Sequence, residues 1–244
     1  MVIINTITFL SMKPICIIPA RGGSKGVPKK NIRKIAGKPL LGHVIEQIDK
    51  SKIFSTVIVS TEDLEIAKIA RKYGADVPFM RPKNLATDTT PMDKVLLHAV
   101  NELYNLDYKF DIFVLRDATT PFITTTDIKK SIQLLKKKKV PIVCAVYEQH
   151  LNPYFNIVET NSDGSLKLSK KLKTRPMSRQ QAPKVYQLNG LYTYDAKKFL
   201  KIKKTDFGKS IPLEIPLENG LMIDTEFEFK ISKLLLETKS IKLK

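Results

Sequence analysis

Between residues 19 and 31 the chain reads Pro19-Ala20-Arg21-Gly22-Gly23-Ser24-Lys25-Gly26-Val27-Pro28-Lys29-Lys30-Asn31. Glycines permit backbone conformations closed to other residues. Successive N–H groups in such a run can form a concave anion site. Arg21, Lys25 and Lys30 add positive charge, and Ser24 adds a hydroxyl. A triphosphate fits this chemistry, because a leaving pyrophosphate gains charge that preorganised N–H groups and cations stabilise. The segment is not a Walker loop, since G-x-x-x-x-G-K-[ST] is absent. Nor is it the G-x-G-x-x-G turn of dinucleotide-binding folds. An Arg-Gly-Gly run also occurs in RNA-binding tails, but here it is single and set between a strand and a helix. A flexible basic loop would account for the glycines alone and poorly for the whole segment.

The elements around the loop read as alternating strands and helices. Ile15–Pro19 is a short apolar run with the character of a buried strand. Residues 40–48 have helical spacing, and residues 56–60 form a second strand. Residues 62–73 form a helix with Leu64, Ile66, Ala67, Ile69 and Ala70 on its apolar face. Residues 76–80 read as a short strand. Thr90-Pro91-Met92-Asp93 has the form of a helix start, with an N-cap, proline at the first position and an acid in the first turn. Residues 111–115, 125–137 and 141–147 continue as strand, helix and strand.

This rhythm predicts a three-layer, Rossmann-like α/β domain with a mostly parallel sheet. Ligands of such sheets bind at the carboxyl ends of the strands. The loops after Pro19, Ser60, Met80 and Leu115 are therefore the places for a site. The rhythm breaks after Tyr147. Residues 149–185 are polar, turn at Asn161-Ser162-Asp163-Gly164, and read as an inserted hairpin arm. Strands return at 185–194 and 211–215. The last helix opens at Asp224-Thr225, with Thr225 and Glu228 spaced as a capping box. The expected division is one domain from 13–148 and 186–244, the arm at 149–185, and a possible extra tail at 1–12.

The 244 residues suit one such domain with a small appendage. Forty-two basic against 24 acidic residues give a net charge of +18, which favours an anionic partner. Nucleic acid is a poor fit, because there is no Trp for stacking and the arginines sit in loop motifs. Many of the lysines reflect a lysine-rich composition, and the run Lys136 to Lys139 falls at a helix end, where cations favour the dipole. No apolar run reaches the ~18 residues of a membrane span. Residues 1–12 lack the basic start and the cleavage site of a secretory signal, so the expected location is the cytoplasm, and Met12 fits as an alternative start. Cys16 and Cys144 read as buried thiols rather than a disulfide or metal site. His43 and His98 fall within helices, and no Ser-His-Asp or zinc set is evident.

The run IIPARGGSKGVPKKNIRKIAGKPLL resembles the opening of the acylneuraminate cytidylyltransferases, which make CMP-activated sialic, legionaminic and pseudaminic acids. The resemblance continues through Val59-Ser60-Thr61-Glu62-Asp63, through residues 81–89 (RPKNLATDT), and through Arg179-Gln180-Gln181-Ala182-Pro183. It resumes at Asn189-Gly190 and ends at Ile223-Asp224-Thr225-Glu226, covering nearly all of the chain from residue 13. It implies the nucleotide-diphospho-sugar transferase fold. It also implies transfer of CMP from CTP to the anomeric hydroxyl of an acidic nine-carbon sugar of neuraminic or legionaminic type, releasing pyrophosphate.

By the same resemblance, Arg21, Gly22, Gly23, Ser24, Lys25, Asn31, Arg81, Ala86 and Asp88 bind the nucleotide. Arg21, Lys25 and Asp224 are its catalytic positions. Arg179 and Asn189 match positions near the sugar, with Arg179 able to hold the carboxylate bidentately; beyond the resemblance, Arg116 and Gln187 are expected to face the sugar. Asp224 matches a ligand for Mg2+, and a homodimer built through the arm is the implied assembly.

Two departures from the family pattern matter. Relatives often carry a second aspartate two residues before Asp224, where this chain has Met222. A thioether is a poor magnesium ligand. After the strand at 111–115, relatives often read like LQPTSPLR, and here the chain reads Leu115-Arg116-Asp117-Ala118-Thr119-Thr120-Pro121-Phe122. Asp117 is expected to supply the missing metal carboxylate. The alternative is a local pair with Arg116 or a turn cap. Competing functions are a CMP-pseudaminic acid or CMP-Kdo-type synthetase, a hexose-phosphate enzyme, whose G-x-G-T-R loop is absent, and a noncatalytic relative.

Overall fold

Apolar residues alternate between the two faces of the first strand, and that alternation organises the molecule. A computed structural model describes residues 12–24, 26–238 and 240–241. In β1 (Ile15–Pro19), Cys16 and Ile18 pack on α1 (Leu40–Ser51) and α2 (Leu64–Lys72). Ile15 and Ile17 pack on the opposite side, against α3 (Met92–Asn105). Period-two burial on both faces is what a strand enclosed by helices requires.

The remaining strands of the sheet are β4 (Val57–Ser60), β5 (Ile112–Arg116), β6 (Ile142–Glu148), β9 (Tyr186–Asp195) and β10 (Ser210–Glu214). Their order is β10-β6-β9-β5-β1-β4. Neighbours pair in parallel except β9, which lies antiparallel between β5 and β6. α4 (Thr125–Lys138) covers one face of β5 and β6 through Ile128, Ile132 and Leu135. α5 (Ala196–Ile202) adds Phe199 to the α3 side, edge-on to Phe113. β2 (Lys34–Ile35) and β3 (Lys38–Pro39) form a small hairpin before α1. α6 (Glu226–Glu237) closes the chain and opens on the expected capping box, in which Thr225 Oγ1 accepts from Glu228 N and Thr225 N donates to Glu228 Oε2.

Two expected elements differ. Residues 76–80 form no strand: Asp76 makes a single bridge to Ile58, and the ladder stops before Pro78, which has no N–H to donate. α3 begins one residue later than its motif suggests. Pro91 is the cap itself, with ψ 139, while the Thr90 hydroxyl turns back to Thr87 at 2.7 Å instead of capping.

Within residues 149–185 lies the two-stranded hairpin β7 (Val158–Thr160) and β8 (Leu166–Leu168), pinned at its root by Gln149 N donating to Val185 O at 3.0 Å. Cys16 and Cys144 are buried and unpaired, and burial pushes both thiols up to about 12. Among the described residues no helix is long and apolar enough to cross a membrane. The expected tail lies outside the described residues apart from Met12, which is exposed.

Candidate active site

At the carboxyl ends of β1, β4 and β5 the chain leaves the sheet in loops that enclose a cleft of about 390 Å3. Arg21, Ser24, Lys30, Asn31, Arg81 and Asp88 line it, with Asp117, Thr119 and Asp224. The loop after β1 is anchored on both sides. Ala20 N donates to Ser60 O at 3.0 Å, Gly22 N to Glu62 Oε1 at 2.7 Å, and Asn31 Nδ2 to Arg21 O at 3.0 Å. At Gly26 the loop touches the segment before α6: a Cβ there would sit 2.1 Å from the Asp224 carbonyl oxygen. No side chain fits that approach.

Charge converges on the cleft from several elements. Arg21 pairs with Asp88 at 2.6 Å across its mouth. Arg81 is buried against the end of β4, where its guanidinium bonds both the carbonyl and the hydroxyl of Ser60. Burial lowers its pKa to about 10, opposed by Glu62 and reinforced by Arg21, so it stays charged at neutral pH. Lys30 Nζ donates to Ile223 O at 2.7 Å and to Asp224 Oδ1 at 2.9 Å. Burial pushes the Asp117 carboxyl up to about 6, opposed by Arg116 and Lys30 and reinforced by Asp224. Among the described residues no three His, Cys, Asp or Glu side chains gather as a metal site. A divalent ion here would complete its shell with phosphate oxygens, as magnesium commonly does.

The model of a family described as cytidylyltransferase matches residues 15–230. The chain belongs to the cytidylyltransferase family. It is similar to a post-translational flagellin modification protein B of Campylobacter coli, 36% identical over 94% of this chain and 97% of the relative. It is also similar to a CMP-N,N'-diacetyllegionaminic acid synthase of Campylobacter jejuni, 34% identical over 93% of this chain and 96% of that one. Among solved structures, a CMP:2-keto-3-deoxy-manno-octonic acid synthetase complexed with CTP shares the fold. It has a TM-score of 0.69 and 17% identity, over 93% of this chain and 99% of the other.

In this cytidylyltransferase the residues expected on the nucleotide side fall into two groups. Arg21, Ser24, Asn31, Arg81, Asp88 and Asp224 line the cleft. Gly22 holds the loop through Glu62, Gly23 is exposed with nothing near it, and Ala86 ends a short turn of 3-10 helix outside the cleft lining. Lys25 lies outside the described residues.

On the sugar side the picture changes. Arg116 does not face a ligand. It is wholly buried, and its guanidinium donates to Asp117 O, Thr120 O and Thr120 Oγ1, tying the 116–120 turn together. As the last residue of β5, paired with Leu191, it follows the pleat inward. Asn189 is buried and donates to Gly220 O at 3.2 Å. Gln187 is exposed, bonded to Gln149 and lying 3.9 Å from Met222 Sδ. Arg179 is exposed beside a different pocket of about 450 Å3 at the arm's root, which shares no lining residue with the cleft. Thr119 also lines the cleft and was not singled out, and Lys30, expected only to add charge to the loop, lines it too. Two adjacent lysines look alike in sequence, and only the turn at Lys29, with φ 52, sends Lys30 to Asp224 and Lys29 to Glu65.

Proposed function

We propose that this chain transfers CMP from CTP to the anomeric hydroxyl of an acidic nine-carbon sugar of neuraminic or legionaminic type, releasing pyrophosphate. The observation that carries the reading is the cleft itself: Arg21, Arg81, Lys30 and Asn31 converge at the strand ends beside the carboxylates Asp117 and Asp224. Such a reaction needs little covalent help from protein, and positioning with charge neutralisation supplies most of the catalysis. The glycine-rich loop offers N–H groups and Ser24 Oγ to the triphosphate. Arg21 can release Asp88 to meet phosphate, and Lys30 can stabilise the charge that grows on leaving pyrophosphate. Asp224 fits a magnesium ion, since a cation, the Lys30 ammonium, already rests on its carboxylate. When bound, the ion neutralises charge on the triphosphate.

A second, more apolar pocket of about 310 Å3 supports the placement of the sugar. It shares Met92 and Asp117 with the cleft and is otherwise walled by Leu115, Tyr192, Tyr194 and Phe207, with Asp93 and Thr205. Acylamido groups suit such walls, and an acceptor seated there would present its hydroxyl toward the nucleotide. Arg179 lines a pocket that shares no residue with the cleft or the apolar pocket beside it. A homodimer in which the arm meets the partner's cleft would bring it there, and such a dimer is part of the proposal.

Pyrophosphate release with CTP and Mg2+ tests the reading against neuraminic, legionaminic and pseudaminic acids, Kdo and no sugar. Release with a nine-carbon acid alone is the expected result. Release with Kdo alone would favour the eight-carbon alternative, and a protein that does not bind CTP would overturn the proposal.

A further inference from the structure

Two facing walls of the cleft come from opposite ends of the chain. Gly26, Lys30 and Asn31 belong to the loop after β1, and Asp224 to the segment before α6. Among the described residues no strand ladder joins the two. Their apposition therefore rests on side chains, and two basic residues of one turn reach across. Lys30 Nζ donates to the Ile223 carbonyl oxygen at 2.7 Å and to Asp224 Oδ1 at 2.9 Å. Arg33 reaches the first turns of α6: its guanidinium pairs with Glu226 and lies 4.0 Å over the ring of Phe229.

A ligand would treat these two contacts differently. Lys30 lines the cleft, so phosphate oxygens compete with Asp224 for its ammonium. In the proposed reaction Lys30 turns to the triphosphate and gives up its hold on residues 223–224. Arg33 lies outside that competition, since neither it nor Glu226 lines the cleft. An ion pair between half-exposed side chains is weak by itself. Here the same planar guanidinium also covers an aromatic face. Beneath it Val27, Ile35, Leu40, Ile223 and Phe229 form a small buried cluster of their own, apart from those on the sheet. The turn that carries both basic residues is itself fixed. Arg33 N donates to Lys29 O at 2.9 Å, while Arg33 O and Asn31 O accept from Leu40 N at 3.0 Å and Leu41 N at 2.8 Å, at the start of α1.

We infer that Arg33 is a positioning residue for the reaction. With Glu226 and Phe229 it clamps the start of α6 to the glycine-rich loop, and so keeps Asp224 in the cleft wall while Lys30 exchanges carboxylate for phosphate. The inference rests on the cleft being the CTP site.

Amide hydrogen exchange across residues 221–229 and calorimetric CTP affinity, both on the full-length protein, test it. Arg33→Met keeps an apolar stem on Phe229 and removes the charge. It should speed exchange across this segment roughly tenfold and weaken CTP about fivefold. Glu226→Gln, a milder change, should move both in the same direction. The double variant should be no worse than Arg33→Met, because both substitutions break one contact. Lys30→Met should weaken CTP without speeding exchange, since the clamp still holds. Unchanged exchange in both Arg33→Met and Glu226→Gln overturns the clamp. Faster exchange with CTP affinity unchanged makes Arg33 merely structural and overturns its positioning role. Exchange as fast in Lys30→Met as in Arg33→Met overturns the division between the two basic residues. A wild-type protein that binds no CTP overturns the cleft reading itself, and the inference with it.

Discussion

The loops around the cleft and the arm at residues 149–185 hang from the same sheet and are held by different forces. At the cleft, buried polar side chains grip backbone: Arg81 takes the Ser60 carbonyl, Arg116 takes those of Asp117 and Thr120, and Asn31 takes that of Arg21. In the arm's hairpin the hydrogen bonds are local and exposed, as between Asp163 and Ser165, and β7 pairs only with β8; the buried grip of Asn152 on the Pro183 carbonyl lies at the arm's root. Several of its apolar side chains face outward, with Leu166 69% and Met177 85% exposed. A lone two-stranded hairpin is marginal in water. The cleft is thus organised within one chain, whereas the arm leaves apolar side chains exposed where the proposed dimer would form.

The sharpest way to break this contrast is to remove one arginine from each region. Arg116→Ala leaves a cavity and strips three acceptors of their donor, which should destabilise the protein by about 3–4 kcal/mol. For a chain of this size that lowers the melting temperature by roughly 10 °C. Arg179→Ala, on the exposed arm, should shift it by about 1 °C or less. Calorimetry of the two variants decides, and equal melting temperatures would erase the distinction.

A smaller perturbation asks the same question of close packing. Gly26→Ala drives a methyl into the Asp224 carbonyl, for a cost of about 1–3 kcal/mol, and the strain falls where the loop meets Asp224. CTP affinity should drop with it. Ser162→Ala, exposed in the hairpin turn, should stay within ~0.5 kcal/mol and leave CTP binding alone. Isothermal titration with CTP separates the two.

How far the sequence could be read follows the same divide. Short apolar runs made β1 and β4 legible, and the spacing of Thr225 and Glu228 made the start of α6 legible, because those signals are local. The order of the strands was not, since nothing local says that β9 will enter antiparallel between β5 and β6. Pro78 is the local signal against a strand at 76–80, since it has no N–H for the ladder. Arg116 was misread because an arginine just beyond a strand end looks like a ligand group. It is in fact the strand's last residue, and its partners are carbonyls that a sequence does not display. Arg179 was read by motif alone, and a motif carries no distance.

The arm's outward apolar residues give the next test. Leu166→Asp with Met177→Asp should leave the melting of the isolated fold nearly unchanged, because neither side chain is buried in one chain. It should shift a dimer toward monomer in light scattering, since a charge at the core of an interface is costly. A wild-type protein that is monomeric at all accessible concentrations would remove the proposed role of the arm, and with it the route of Arg179 to a sugar.

The smallest expected effect contrasts two carboxylates, one in each region, whose pKa values move in opposite directions. Burial pushes Asp117 up to about 6 in the folded protein, against an ordinary value of ~4. For an acid with a raised folded pKa, the favourable contribution is complete below the unfolded value and disappears as pH rises through 6. In metal-free protein at pH 8, Asp117→Asn should therefore be more stable than wild type. The gain should be roughly 1–2 kcal/mol, short of the full linkage value because the carboxyl still touches the water of the cleft. It should vanish below about pH 4. Asp163, in the hairpin turn, is held below the ordinary range by hydrogen bonds from Ser165. Its contribution is present above the unfolded pKa and is lost as pH falls, so Asp163→Asn should be slightly less stable at pH 8, with the gap closing in acid. Melting curves of both variants in chelator from pH 4 to 8 should diverge from wild type in opposite senses. A common sign would mean that the cleft carboxylate is no more desolvated than one on the open arm.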